Sequence, residues 1–150
     1  MRPIGYQVTF DVHDPHGQAR FWAAALGYEV EDHDAAIREV LSKGIATQDD
    51  VVEIDCQLFW SVAAAIRHPA DADRGALDDT APRRLLFWQV PEEKTVKNRL
   101  HLDLNVGRDH LDSEVERLTA LGATELYRVD EPHSFHVTLA DPEGNEFCLQ

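Results

Sequence analysis

The sequence predicts an α+β fold built from two tandem βαβββ modules, and an internal repeat is the main reason. Residues 7–32 and 101–127 align as two copies of one pattern. Each copy has an alternating strand that ends in valine, followed by an acidic turn, an amphipathic helix and a Leu-Gly stop. A repeat of this length indicates a duplicated supersecondary unit, because solenoid repeats have only about 20–50 residues.

The first module begins with the alternating strand 8–12, and its helix has signals at both ends. Asp14 is suited to cap the free N–H groups, and Pro15 suits the first helical position because it lacks a donor. Gly27 permits the left-handed conformation that often ends a helix. Four apolar side chains at helical spacing predict the buried face: Phe21, Trp22, Ala25 and Leu26.

The second module repeats this plan, and three strands are expected after each helix. In its helix, Leu111, Val115 and Leu118 form the apolar stripe, and Gly122 ends the helix. The expected strands are 28–32, 61–67 and 84–90 in the first module, and 125–129, 135–140 and 146–149 in the second. The residues 141–145 supply the Pro and Gly of a tight turn.

Two insertions interrupt the first module. Residues 34–58 look helical and are expected to cover an edge or a mouth of the sheet, whereas the polar residues 68–83 are expected to form a flexible loop. We therefore predict one domain over residues 1–150, with a first module at 1–92 and a second at 98–150.

Composition restricts the partners and the compartment. The net charge is −14, from 28 acidic and 14 basic residues. This charge argues against nucleic acid and against anionic membranes, whereas a cationic or neutral small molecule fits the field of the protein better. Two cysteines make no disulfide framework, and neither an export signal nor a membrane span is evident, so a cytoplasmic protein is expected.

Several motifs carry a resemblance to a known family. The strand LHLDL, the helix stop LGA and the terminal segment DPEGNEFCLQ resemble the vicinal-oxygen-chelate superfamily. That superfamily includes glyoxalase I, the extradiol dioxygenases and the bleomycin-resistance proteins, and the chain is similar to its bacterial glyoxalase-like domains. The resemblance implies eight strands in a cupped mixed sheet, a small-molecule cavity inside the cup and pairing as a homodimer.

The resemblance also implies a metal site in those relatives that use a metal. Its four ligands come from the first and last strands of each module, and the matching positions here are Gln7, Gln89, His101 and Cys148. The implied cofactor is a divalent ion such as Zn, Ni, Mn or Fe, and a site without metal is the alternative. Cys148 stands where metal-dependent relatives carry Glu. The absence of that carboxylate removes the obvious base for isomerase chemistry.

Alternation predicts which side chains accompany His101. His101, Asp103 and Asn105 are expected on one face of a strand, with leucines on the other face. An imidazole there can ligate a metal, act as a general acid or base, or hydrogen-bond a ligand. The amide of Gln7 suits a hard cation better than zinc. We therefore predict His101 as the catalytic residue, with Gln7 and Asp103 as ligand-binding residues.

Other candidates for ligand contact are aromatic or basic. Trp60 is expected at the mouth of the cup, and Lys97 and Arg99 belong to a basic patch that could anchor an anionic group. Phe87 shares a face with Gln89, but the register that decides whether this face lines the cavity stays open. No nucleophilic triad of Cys, His and Ser is expected.

Two functions of different classes follow from these residues. The first is a glyoxalase-like small-molecule enzyme of isomerase or lyase type. The second is a non-catalytic binder of the bleomycin-resistance type that holds an antibiotic or another small molecule.

Overall fold

The computed structural model describes residues 6–71, 83–131 and 134–150. The chain divides into two compact units, Met1–Pro91 and Glu92–Gln150. The described residues form ten strands and three α-helices in mixed sheets, which confirms the predicted α+β class. None of the helices in the described ranges has the length and apolar character needed to cross a membrane.

The first unit contains one four-stranded sheet and a separate hairpin. Its elements are β1 Val8–Val12, α1 Pro15–Leu26, β2 Glu29–Val30, α2 Asp34–Ser42, β3 Val51–Ile54, β4 Gln57–Trp60, β5 Ala63–Arg67 and β6 Arg84–Gln89. The order in the sheet is β1-β6-β5-β2, and β3 pairs only with β4. β1 runs parallel to β6, whereas the other neighbours are antiparallel.

The second unit repeats the order of the first. Its elements are β7 Asp103–Leu104, α3 Leu111–Ala120, β8 Thr124–Glu131, β9 Ser134–Ala140 and β10 Glu146–Leu149. The order in its sheet is β7-β10-β9-β8, again with a parallel pair formed by the first and last strands. Each unit is therefore a βαβββ module in which the last strand inserts beside the first.

The helix α1 begins and ends as the sequence predicts, and it covers one face of the first sheet. The Oδ1 atom of Asp14 accepts a hydrogen bond of 2.9 Å from the backbone N–H of Gly17, and Gly27 ends the helix with φ 66°. Trp22 is fully buried, and its ring centroid lies 5.4 Å from that of Phe10 on β1. We call this helix-covered side the apolar face of the first sheet.

The second sheet has a comparable apolar face, and a polar turn fixes the connection between its last two strands. The buried side chains are Val115, Leu118, Val137, Leu139, Phe147 and Leu149. In the turn, the Oδ1 atom of the buried Asp141 accepts hydrogen bonds from the backbone N–H groups of Glu143 and Asn145, at 3.0 and 2.9 Å. Gly144 has φ 86°, so the motif DPEGN is a structural device that positions β10.

The inserted residues 34–58 are only partly helical. α2 accounts for the first half, but the second half forms the hairpin of β3 and β4. Its two-residue turn places Asp55 and Cys56 at φ 50° and 67°, a left-handed conformation that usually takes Asn-Gly. Because that signal is missing from the sequence, the prediction of a helix was wrong there. Of the expected loop 68–83, residues 72–82 lie outside the described part of the chain.

Candidate functional site

Three side chains with different donor atoms converge in the second unit. His101, Asp103 and Cys148 each offer one ligand atom, and these three atoms all lie within 4.8 Å of one another. The Nδ1 atom of His101 is 2.9 Å from the Oδ1 atom of Asp103. The side chains of His101 and Asp103 are 41% and 45% exposed, so an external ligand can reach them. We call these three residues the His-Asp-Cys cluster.

The parallel pairing of β7 with β10 creates the cluster. Asp103 and Cys148 are register partners, and the backbone N–H of Cys148 donates to the carbonyl of Leu102 at 2.9 Å. Because strand side chains alternate, His101 and Asp103 share one face, whereas the half-buried Leu102 and Leu104 take the opposite face. We call the side with the cluster the open face of the second sheet.

A fourth residue, Thr138, supports the cluster and was missed in the sequence. It is the register partner of Cys148 on β9, and its Oγ1 atom lies 3.4 Å from the Sγ atom. Thr138 is 2% exposed, so its hydroxyl group contacts the thiol on the side away from solvent and limits the positions that the sulfur atom can take. Only the pairing of β9 with β10 could have identified it, since no local motif distinguishes it from other strand threonines.

The donor set of the cluster fits a borderline-soft divalent ion. Zinc accepts imidazole nitrogen, thiolate sulfur and carboxylate oxygen, and three protein ligands leave one position for water or substrate. If Asp103 does not ligate, its hydrogen bond to Nδ1 fixes the imidazole of His101 and leaves Nε2 for the metal. The same arrangement brings the thiol of Cys148 near an imidazole that a carboxylate orients.

The predicted first-module ligands Gln7 and Gln89 do not come together. Gln7 lies just before the start of β1, next to Arg84 at the start of β6. Gln89 lies at the opposite end of this strand pair, where it is the partner of Val12. Five residues of strand separate the two positions by roughly 16 Å, and alternation places them on opposite faces. The amide of Gln89 donates instead to the carbonyl of His13 at 3.0 Å. One ion therefore cannot bind both amides.

Gln7 belongs instead to a buried ionic cluster around Glu31. The Nη1 atom of Arg84 donates to the Oε1 atom of Gln7 at 2.7 Å. Arg67 and Arg84 each donate from Nε to the Oε1 atom of Glu31 at 2.8 Å, and the Nε2 atom of His33 lies 3.2 Å from its Oε2 atom. The Glu31 side chain is 1% exposed.

This cluster holds Glu31 in its charged form. Burial alone raises the pKa of the carboxyl, but the hydrogen bonds from His33, Arg84 and Arg67 outweigh burial and lower the pKa to about 2. No local pattern predicts this arrangement, because Glu31 lies 36 and 53 residues away from the two arginines.

The aromatic candidates divide between the two faces of the first sheet. Phe87 has no exposed surface, and its ring lies 5.4 Å from that of Phe10 on the apolar face, so it does not reach a ligand. Trp88 lies on the other side and is 47% exposed. We call this side, which carries Gln7, Thr9, Leu86 and Trp88, the open face of the first sheet. Trp60 is half-buried at the end of β4.

The basic residues before β7 have different partners. Lys94 forms an ion pair of 3.3 Å with Glu146, and the backbone N–H of Asn98 donates to the same carboxylate at 2.9 Å. Desolvation raises the pKa of Glu146, but these bonds lower it overall, so the carboxylate fastens this segment to β10. Lys97 and Arg99 are exposed, and neither forms an ion pair with any residue that the structure describes.

Two βαβββ modules define the class of glyoxalase, bleomycin-resistance and dioxygenase proteins, and here the donor cluster lies where the first and last strands of the second module pair. An enzyme of that family from Burkholderia phytofirmans has a TM-score of 0.57 and 15% identity, over 95% of this chain and 94% of its own. The fosfomycin resistance protein FosX from Listeria monocytogenes has a TM-score of 0.60 and 11% identity, over 100% and 91%. A mutant of Listeria FosX, complexed with Mn(II) and 1S,2S-dihydroxypropylphosphonic acid, has a TM-score of 0.57 and 10% identity, over 100% and 90%.

The sequence itself places the chain within this class. The profile of the glyoxalase-like domain family matches residues 7–150, so the chain belongs to that family. The resemblance predicted from the sequence is therefore confirmed. No curated protein sequence matches significantly. Family membership supports a small-molecule enzyme or a small-molecule binding protein.

Proposed function

We propose that the protein is a glyoxalase-like small-molecule enzyme whose reaction centre is the His-Asp-Cys cluster. The observation that carries the proposal is the approach of three different donor atoms to within 4.8 Å of one another. These groups are partly exposed, which a site for an exchangeable substrate requires. The proposed reaction belongs to the isomerase or lyase type.

We propose that a divalent ion, with zinc preferred, binds His101 and Cys148 directly. When bound, such an ion polarises a carbonyl or hydroxyl oxygen of the substrate. The FosX structure with Mn(II) supports metal use in this fold. The thiol of Cys148 favours zinc over manganese, because thiolate is a soft ligand and manganese prefers oxygen ligands.

The roles of the residues follow from their contacts. Asp103 holds the imidazole of His101 through Nδ1, so the ring presents one orientation to the substrate. Thr138 limits the position of the Cys148 sulfur atom. In a metal-free centre, the oriented imidazole of His101 would act as the general base.

Metal analysis with paired variants tests this proposal. We expect the protein loaded with zinc and dialysed to retain about one ion per chain. His101→Ala and Cys148→Ala should each lower zinc affinity at least 100-fold, whereas His110→Ala and Cys56→Ala should leave it unchanged. With cobalt, a thiolate-to-metal charge-transfer band should appear and vanish in Cys148→Ala. If zinc, nickel, manganese and iron all dialyse away, the metal-dependent form of the proposal is wrong.

A second candidate function, a non-catalytic binder, is favoured by the open face of the first sheet. Trp88 and Asp11 are register partners, and both are exposed. An indole ring beside a carboxylate suits a planar cation, which also fits the acidic charge of the chain. An antibiotic-binding protein of this kind would hold its ligand without turnover.

Tryptophan fluorescence separates this function from the enzyme. Cationic aromatic drugs should quench the emission of Trp88, and Trp88→Phe should remove most of that quenching. Trp22 is fully buried and supplies an internal reference in both proteins. Quenching that is equal in the variant and the wild type would count against binding at this face.

A further inference from the structure

The inserted hairpin of the first unit forms one wall of a small pocket whose opposite wall is α1. The pocket has a volume of about 130 Å³. Val30 lines it, and this residue pairs with the fully buried Ile66 of the apolar face. The pocket therefore lies on the helix side of the sheet, whereas Thr9 and Trp88 are on the open face. We call it the hairpin pocket.

The hairpin pocket combines an apolar interior with a polar wall. Ala19 of α1 is fully buried, and Ile54 and Phe59 of the hairpin are half-buried. His16 donates from Nε2 to the carbonyl of Trp60 at 3.1 Å, and the centroids of the His16 and Phe59 rings are 5.5 Å apart in a T-shaped arrangement. Desolvation lowers the pKa of His16, so this imidazole is neutral near pH 7 and contributes no cation.

Two residues of opposite charge complete the lining, Arg20 on α1 and Asp55 in the hairpin turn. Both are exposed, and neither forms an ion pair with the other or with another residue of the described ranges. An unpaired guanidinium and an unpaired carboxylate beside an apolar interior offer separate contacts to an anionic and a cationic group.

The backbone of the turn determines where Asp55 lies. Asp55 and Cys56 both have left-handed φ angles, of 50° and 67°, without a glycine. A two-residue hairpin turn of type I′ requires this conformation at both of its positions. This turn brings Asp55 to the pocket. In the described part of the second unit no element corresponds to the hairpin, so the pocket is a property of the insertion.

From these observations we infer that the hairpin pocket binds a small zwitterion with an apolar side chain, of the size of an apolar α-amino acid. The carboxylate of the ligand pairs with Arg20, and its ammonium group pairs with Asp55. The side chain fills the interior, since a cavity of roughly 150 Å³ accommodates a group as large as benzene. This site uses none of the residues of the His-Asp-Cys cluster.

Three probes that share one apolar group test the inference on the whole chain. L-leucine carries both charges, 4-methylpentanoate lacks the amine, and 3-methylbutylamine lacks the carboxylate. In an NMR titration, L-leucine should shift the amide signals of Ile54 and Phe59, with a dissociation constant on the order of 1 mM or lower. Each analogue should bind at least tenfold more weakly.

Variants assign the two charged contacts. Arg20→Gln and Asp55→Asn should each weaken L-leucine binding at least fivefold. Both residues are exposed, and asparagine tolerates left-handed φ, so neither change should disturb folding. Lys43→Gln and Asp49→Asn are matched controls, because they remove exposed charges of the same unit outside the pocket, and both should bind L-leucine as the wild type does.

Three results would overturn the inference. The first is the absence of shifts at the hairpin up to about 20 mM L-leucine, which is well beyond the expected dissociation constant. The second is an analogue that binds as tightly as L-leucine, because the head group would then not be recognised as a zwitterion. The third is unchanged affinity in both Arg20→Gln and Asp55→Asn.

Discussion

The two sheets share one strand order, but among the described residues only the open face of the second carries a cluster of imidazole, carboxylate and thiol. Register and the aligned valines Val12 and Val106 define equivalent positions. The equivalent pairs, first unit before second, are Gln7 and His101, Thr9 and Asp103, Leu86 and Cys148, and Ala65 and Thr138. The first unit thus has no thiol, imidazole or carboxylate at the positions that form the cluster.

This difference teaches that the fold does not depend on the residues of the His-Asp-Cys cluster. Both units bury an apolar face and insert the last strand beside the first. The first unit places a buried ionic cluster at the end of its sheet and adds a hairpin, whereas the second leaves a thiol and an imidazole accessible. Variants in each unit can test whether stability and chemistry are divided in this way.

The largest expected effect concerns the ionic cluster of the first unit. Glu31→Gln leaves two buried guanidiniums without their shared carboxylate, so it should lower the free energy of unfolding by roughly 3–5 kcal/mol. All three tryptophans lie in this unit, so their fluorescence in a urea titration reports its unfolding. Glu29→Gln, at an exposed position two residues before Glu31, should change the free energy by less than about 0.5 kcal/mol. Equal effects of the two variants would contradict a structural role of Glu31.

The pH dependence of the free energy of unfolding should reveal the contribution of the Glu31 carboxylate. The pKa of Glu31 is lowered from 4.5 to about 2 in the folded state. Its contribution is therefore fully present above about pH 5 and is lost as the pH falls towards 2. The loss amounts to roughly 3 kcal/mol at most, because one pKa unit corresponds to about 1.4 kcal/mol.

Urea titrations between pH 2 and 6 measure this loss by tryptophan fluorescence. The stability difference between the wild type and Glu31→Gln should shrink as the pH falls. A difference that stays constant over this range would show that the carboxyl is not held in its charged form by its neighbours.

Local patterns predicted the helix α1 and the strands of the second unit well. The capping signals around Asp14 and Gly27 act within a few residues, so they can be read directly from the sequence. The strand 146–149 was likewise placed by the turn before it. The register of strand pairing cannot be predicted from local patterns. That register separates Gln7 from Gln89 and places Phe87 on the buried face.

Contacts between distant residues account for most of what was missed in the sites. His101 and Cys148 were matched to their positions through the family resemblance, but the approach of Asp103 and Thr138 to Cys148 requires the pairing of three strands. The hairpin pocket depends on a turn without glycine, for which the usual sequence signal is absent. The domain limits, the expected homodimer and the cytoplasmic location stay predictions.

A smaller effect is expected for the carboxylate that orients the imidazole of the second unit. If the cluster binds zinc, Asp103→Asn should lower zinc affinity about 10- to 100-fold, the usual effect of losing such a hydrogen-bond partner. Competition with a chromophoric chelator measures the affinity. Thr9→Ala, at the equivalent position of the first unit, should leave it unchanged. A comparable loss in both variants would mean that the chemistry is not confined to the second unit.

The smallest expected effect compares the starts of the two equivalent helices. Asp14 caps α1 through its side chain, whereas His110, at the same place before α3, makes no side-chain capping bond. Asp14→Ala should therefore cost about 1 kcal/mol, because a backbone N–H loses its acceptor. His110→Ala should cost less than about 0.5 kcal/mol. Tryptophan fluorescence reports the unfolding of Asp14→Ala, and circular dichroism reports the unfolding of both variants. If His110→Ala were as costly as Asp14→Ala, then the two helix starts would be stabilised alike, and the division between the units would not extend to their local structure.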